Sequence, residues 1–170
     1  IPRFWYYNND IWGGSMSKTM TAPHPHENPH CTEPEVDELC EAMCRLGYPS
    51  ARRRSAVEAL RHASLRRYRA GDVVIREGAR SREVYVVRGG KLKVSQGARH
   101  EEHSMTLLPG DIVGEIGALH HVPRTATVKA ERDSELFRID DKTFDLLLRS
   151  SPEFRHVMEA TAHVRRLGLD

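Results

Sequence analysis

The sequence predicts an α+β fold, an antiparallel β jelly-roll barrel flanked by N-terminal and C-terminal helices. Three observations point to it. Apolar residues recur at helical spacing between residues 33 and 64; from Leu65 to Ile139 they gather in short β-rich runs separated by glycines; helical spacing returns after Asp140. A chain of 170 residues can build one sizeable core. Its 26 basic and 24 acidic residues leave a net charge of +2, a mixed surface that gives no sign of a nucleic-acid partner. The odd set Cys31, Cys40 and Cys44 makes no disulfide framework and fits a reduced, cytoplasmic setting. No apolar run approaches the ~20 residues that span a bilayer. No secretory signal opens the chain, so a membrane would be reached only through a host protein.

Residues 1–31 are expected to be a disordered leader. Both tryptophans lie in residues 1–12, Gly13-Gly14-Ser15 has linker composition, and Met16 would serve as a native start with an appended tail before it. An aromatic peptide that docks in a groove is the alternative. Pro23, Pro25 and Pro29 favour extended chain, and His24, His26 and His30 beside Cys31 invite a metal reading for which nothing fixes the ligand geometry.

Residues 32–64 predict a helical pair. Thr32 is the cap of the first helix, with Pro34 in its first turn and Glu35 completing a capping box; Val36, Leu39, Cys40, Met43 and Leu46 follow at helical spacing, and Gly47 stops it. Ser50 is expected to cap the second, with Ala56, Val57, Leu60 and Ala63 inward and Arg52, Arg53, Arg54 and Arg61 outward. Helix, glycine turn and arginine-led helix also allow a helix-turn-helix, the basis of a DNA-binding alternative.

Residues 65–139 predict the β-roll. Val73–Ile75, Val84–Val87, Leu92–Val94, Met105–Leu108, Ala126–Ala130 and Glu135–Ile139 are strand-like, and Gly89-Gly90 supplies the positive φ of a tight hairpin. Residues 140–170 predict two helices. Asp140 caps one through Phe144, Leu146, Leu147 and Leu148, and Ser151-Pro152 opens another with Phe154, Val157, Met158, Thr161 and Val164 on one stripe.

The chemistry concentrates in residues 110–128. Gly114 and Gly117 free the backbone for unusual conformations and close ligand approach. Ile116, Gly117, Ala118 and Leu119 form an apolar turn without proline, whose amides can point at an anion. Arg124 supplies a planar cationic fork suited to a phosphate, and Thr125 adds a hydroxyl beside it. Glu115 would repel a phosphate, so its carboxylate suits a sugar hydroxyl one step away. Phosphate and ribose together mean a nucleotide.

The run Gly114, Glu115, Ile116, Gly117, Ala118, Leu119, the loop His120-His121-Val122-Pro123, then Arg124, Thr125 and Ala126 resembles the cassette of the cyclic nucleotide-binding domains. These occur in catabolite-activator-type regulators, protein kinase A and G regulatory regions and cyclic-nucleotide-gated channels. Residues 67–78 and 85–92 resemble that family's first and second hairpins, the likeness spans about residues 35 to 165, and Ser150-Ser151-Pro152-Glu153 looks most like bacterial channel-type members. The resemblance implies Glu115 on the ribose 2'-hydroxyl, Arg124 on the cyclic phosphate, and backbone around Gly117, Ala118 and Ala126 completing the cradle. It further implies a last helix that closes as a lid, for which Val157, Met158, Thr161 and Val164 are the candidates, although core packing or dimer contact explains the same stripe.

The resemblance implies a sensor that binds and does not catalyse. The ligand it implies is cAMP with cGMP as competitor, since a hydroxyl at Thr125 occurs in binders of both, and the effector it implies is an attached or partner protein such as a channel. A homo-oligomer fits the same reading. The competing class beside DNA binding is a metal-dependent jelly-roll enzyme built on His100, His103, His120 and His121, whose spacing lacks a His-x-His strand.

Overall fold

The computed structural model describes residues 30–97 and 104–169. The leader expected over residues 1–31 lies outside the described residues apart from its last two. Those two belong to the helical layer: the Cys31 amide donates to the Ala63 carbonyl at 2.8 Å, and the His30 ring meets His62 edge-on at 5.6 Å.

Helix α1 spans Glu33–Arg45. The Glu35 carboxylate accepts from the Thr32 amide (2.7 Å) and hydroxyl (2.8 Å), so the expected capping box holds the first turn. Val36, Leu39, Cys40 and Met43 form its buried face, and Gly47, at φ +89°, turns the chain so that Tyr48 enters the core. Ser50 does not cap the next helix. It lies inside a 3₁₀ turn, Pro49–Arg52, and α2 spans only Arg54–Leu60 behind an extended Arg53. The cause is burial of Tyr48 and Ala51: a tight turn aligns side chains three residues apart, and the Ala51 amide closes it on the Tyr48 carbonyl at 3.0 Å.

Eight strands follow among the described residues: β1 Ser64–Tyr68, β2 Val73–Ile75, β3 Val84–Gly89, β4 Leu92–Ser95, β5 Met105–Leu107, β6 Ile112–Val113, β7 Thr127–Ala130 and β8 Ser134–Ile139. They form two antiparallel four-stranded sheets, β1-β8-β3-β6 and β2-β7-β4-β5. The short helix α3, Glu115–His120, leaves β6, and helices α4, Asp141–Ser150, and α5, Pro152–Leu169, close the described chain. The expected α+β architecture is therefore present, with β1 and β6 as strands that the sequence pattern did not mark.

The expected hairpins are not hairpins. β3 and β4 flank Gly89-Gly90 but lie in different sheets, as do β1 and β2 within residues 67–78. A glycine signal specifies reversal and says nothing of partners; β8 and β7, distant in sequence, supply them. Gly90 sits at φ +96°, and a Cβ there would stand 2.2 Å from the Ser134 hydroxyl oxygen and 2.6 Å from the Asp133 carbonyl. It serves as a tight passage from one sheet to the other.

β3 shows how the layers meet. Val84 and Val86 join the helical core with Leu39, Met43, Phe144, Phe154 and Met158, whereas Tyr85 and Val87 join Leu92, Val128 and Leu136 between the sheets. Alternation places successive side chains on opposite faces, and both faces are covered, so residues 84–87 form an unbroken run without a charge. The helices thus pack on one sheet, leaving the cleft between the sheets to the residues of the cassette. Asp140 caps α4 as expected, accepting from the Thr143 amide at 2.7 Å, and the Ser151 hydroxyl accepts from the Phe154 amide at 3.2 Å to start α5. Among the described residues, no helix is long and apolar enough to cross a membrane.

Candidate functional site

The cassette folds as strand, turn, helix, loop and strand. Gly114 adopts φ +93° at the start of α3, and a Cβ there would meet the Arg124 guanidinium and the Glu83 carbonyl, each at 2.8 Å. Glycine is needed at Gly114 for backbone conformation and for room. Gly117 has neither constraint, since an added Cβ would stand at an ordinary contact distance of 3.4 Å from Arg124 and the Val122 carbonyl.

Arg124 is anchored through its backbone, whose amide donates to the Ala79 carbonyl and whose carbonyl accepts from the Gly78 amide, both at 2.8 Å. Its side chain is 2% exposed. Nε donates to the Ser81 hydroxyl (3.1 Å), Nη1 to the Gly114 carbonyl (2.8 Å) and Nη2 to the Glu83 carbonyl (2.6 Å), with the Glu83 carboxylate further off at 3.5 Å. Burial pushes its pKa below the usual arginine value, against the opposing pull of Glu83, Tyr85 and Glu115. Three neutral acceptors therefore orient the fork, and its charge is only partly compensated.

Glu115 is 1% exposed and accepts from Arg165 Nη1 at 2.8 Å; the same nitrogen donates to the Ile112 carbonyl at 2.6 Å. Arg165 comes from α5, so the last helix is tied to the cradle by a buried ion pair. A cavity of about 40 Å³ lies here. Gly114, Glu115, Ile116, Gly117, Arg124, Thr125 and Ala126 line it, with Ala118 buried behind, and Ile75, Val94, Met105, Val113, Val128 and Arg165 complete the wall. The cassette residues expected from sequence are thus brought together around one space.

The four lid candidates are not on that wall. Met158 is fully buried in the helical core, Val157 packs there beside Gly47, the Thr161 hydroxyl donates to the Val157 carbonyl at 2.9 Å, and Val164 is 67% exposed. Sequence reasoning missed Arg165, although Phe154, Met158 and Ala162 form a buried stripe on which position 165 comes next. It also missed Ser81 and Glu83. Among the described residues, no group of three or more His, Cys, Asp or Glu stands together as a metal site; His24, His26, His100 and His103 lie outside the described residues.

The profile of the cyclic nucleotide-binding domain family matches residues 65–151, just over half of the chain. This chain belongs to that family. It is 34% identical over 104 residues to the potassium/sodium hyperpolarization-activated cyclic nucleotide-gated channel 3 of Mus musculus, covering 59% of this chain and 13% of the channel. It is 35% identical over 81 residues to the cAMP-dependent protein kinase regulatory subunit of Schizosaccharomyces pombe, covering 48% of this chain and 19% of that subunit. This chain therefore spans less than a fifth of either relative. The cAMP-bound regulatory domain of Toxoplasma gondii protein kinase A superposes with a TM-score of 0.62 at 24% identity, over 69% of this chain and 46% of that one, which supports the fold.

Proposed function

We propose that this chain is the cAMP-binding module of a regulated protein, with the cradle taking the cyclic phosphate on Arg124 and the ribose hydroxyl on Glu115. The single observation that carries the reading is the buried Arg124 fork, oriented by carbonyls and a hydroxyl at the edge of the cavity while its charge is only partly compensated. The kinase regulatory relative and the cAMP-bound structural neighbour support cAMP as the first ligand to test. Thr125 on the cavity wall keeps cGMP as the competitor.

Binding is the whole of its chemistry in this reading, and the output is movement. The cavity of about 40 Å³ is far below the ~300–1,000 Å³ of typical small-ligand sites, so admission of a nucleotide displaces Arg165 and with it the end of α5. Thr161 and Val164, on the same stretch of helix as Arg165, are the lid residues that would come over the base; Val157 and Met158 act as the packing against which the helix turns. A ligand shifts such an equilibrium only by its preference for one state. The effector is an attached or partner protein on the cytoplasmic side, for which the channel relative is the precedent.

The test is calorimetric titration of the whole chain with cAMP and with cGMP, beside Arg124→Ala. The expected result is micromolar or tighter binding that weakens on the order of a hundredfold in the variant, ~3 kcal/mol for a buried phosphate deprived of its counter-charge. Absence of binding by the unsubstituted chain would reduce the cassette to a barrel turn.

A further inference from the structure

We infer that Glu83 is a shared counter-ion that sets how tightly the cradle holds an anion, and that Arg138 competes with Arg124 for its carboxylate. This rests on the nucleotide reading above. Glu83 stands immediately ahead of β3, and its two polar groups do different work. Its carbonyl accepts from Arg124 Nη2 at 2.6 Å and fixes the guanidinium whatever side chain the residue carries. Its carboxylate reaches two arginines. Oε1 accepts from Arg138 Nη2 at 3.0 Å, and Oε2 stands 3.5 Å from Arg124 Nη2, long for a hydrogen bond but close for a charge.

The surroundings keep that charge in place. Burial pushes the Glu83 pKa up, but the Arg138 hydrogen bond and the charges of Arg138 and Arg124 outweigh it and hold the carboxyl below its usual value. An anion arriving at Arg124 therefore meets a second negative charge behind the same guanidinium. Whatever part of the arginine's field Glu83 cancels is unavailable to the ligand. Arg138, on β8 opposite Tyr85, draws the carboxylate the other way and shields it.

The consequence is a pair of effects with opposite signs. Removing the charge of Glu83 strengthens the anion site, because the orienting carbonyl, Ser81 and Gly114 are untouched. Removing the charge of Arg138 weakens the site, because Glu83 then belongs to Arg124 alone. A purely structural role for either residue would instead weaken binding in both variants.

The experiment is titration of the whole chain with cAMP at two salt concentrations for E83Q, R138Q and the double variant. E83Q is expected to bind roughly threefold to tenfold more tightly and R138Q to bind more weakly by a similar factor. The double variant is expected to bind as E83Q does, because Arg138 acts through the Glu83 carboxylate and has nothing to act on once that charge is gone, and added salt shrinks both single-variant shifts. Thermal unfolding without ligand reports whether each variant is folded; should R138Q fail to fold, E83Q decides alone. E83Q binding no tighter than the unsubstituted chain, or both single variants binding more weakly, overturns the inference while the nucleotide reading stands. No binding by the unsubstituted chain overturns both.

Discussion

Arg88 and Arg124 are both drawn into the fold, and they are satisfied in opposite ways. Arg88, on β3, donates to Glu38 at 2.9 Å and Glu135 at 3.3 Å, has Glu35 at 4.0 Å, and lies over the Phe137 ring at 5.8 Å. Arg124 is held by two carbonyls and a hydroxyl, with one carboxylate at 3.5 Å. Burial lowers the pKa of each, but for Arg88 the Glu38 hydrogen bond and the three carboxylates reverse the direction, whereas Arg124 stays below its usual value. Partners of full charge cancel a guanidinium and make it a staple between α1 and the sheet. Neutral partners aim it and leave its field for something else. The two differ in depth as well, the Arg88 side chain being 28% exposed and that of Arg124 2%, but it is the kind of acceptor that sets how far each charge is cancelled.

The comparison can be broken most directly by removing Arg88. Arg88→Ala is expected to lower unfolding stability by about 2 kcal/mol, since three carboxylates lose their cation and part of a packing surface goes. Cyclic nucleotide affinity should stay within about twofold; chemical denaturation and calorimetry on the same sample check both, and an affinity loss matching that of Arg124→Ala would erase the distinction. Gly114→Ala sharpens it from the other side. The φ of +93° and the 2.8 Å approaches predict a loss of roughly 1–3 kcal/mol in stability together with weakened binding, because the clash falls on the guanidinium itself.

Two pH effects are smaller. The folded-state pKa of Glu83 is depressed, so its contribution to stability is present above the ordinary glutamate value of 4.5 and is lost as pH falls through the depressed value. Denaturation midpoints of the unsubstituted chain should therefore drop in that acid range, and those of E83Q should drop less. Cys31 titrates the other way: burial first and Glu35 second, against Arg88, push its thiol up to about 11 from 9.0. Its contribution is complete below pH 9 and fades as pH rises toward 11, which denaturation of Cys31→Ser beside the unsubstituted chain would reveal as a flatter alkaline limb.

The cradle was legible because its parts are contiguous. Gly114, Glu115, Gly117 and Arg124 lie within eleven positions, so a short pattern fixes their mutual placement. Helix ends were legible for the same reason: Thr32 with Glu35, and Asp140 with Thr143, are three residues apart. What governs Arg124 and Glu115 was not. Ser81 and Glu83 precede Arg124 by about forty residues, Arg165 follows Glu115 by 50, and only the closing of two sheets and the return of α5 bring them together. Gly89-Gly90 failed in the same way, since the turn is local and the partners of its strands are not.

One strand decides how the molecule comes apart. β3 is hydrogen-bonded on both flanks, to β8 and β6, and its alternate side chains belong to the helical core and to the core between the sheets. Neither core can dissolve without stripping one face of β3, so the two form a single cooperative unit, and the β3 amides exchange with solvent only when the whole domain opens. Hydrogen exchange at Val86 is then a direct reading of global stability, and any ligand that binds only the folded chain will slow it by a factor of one plus the ratio of free ligand concentration to Kd.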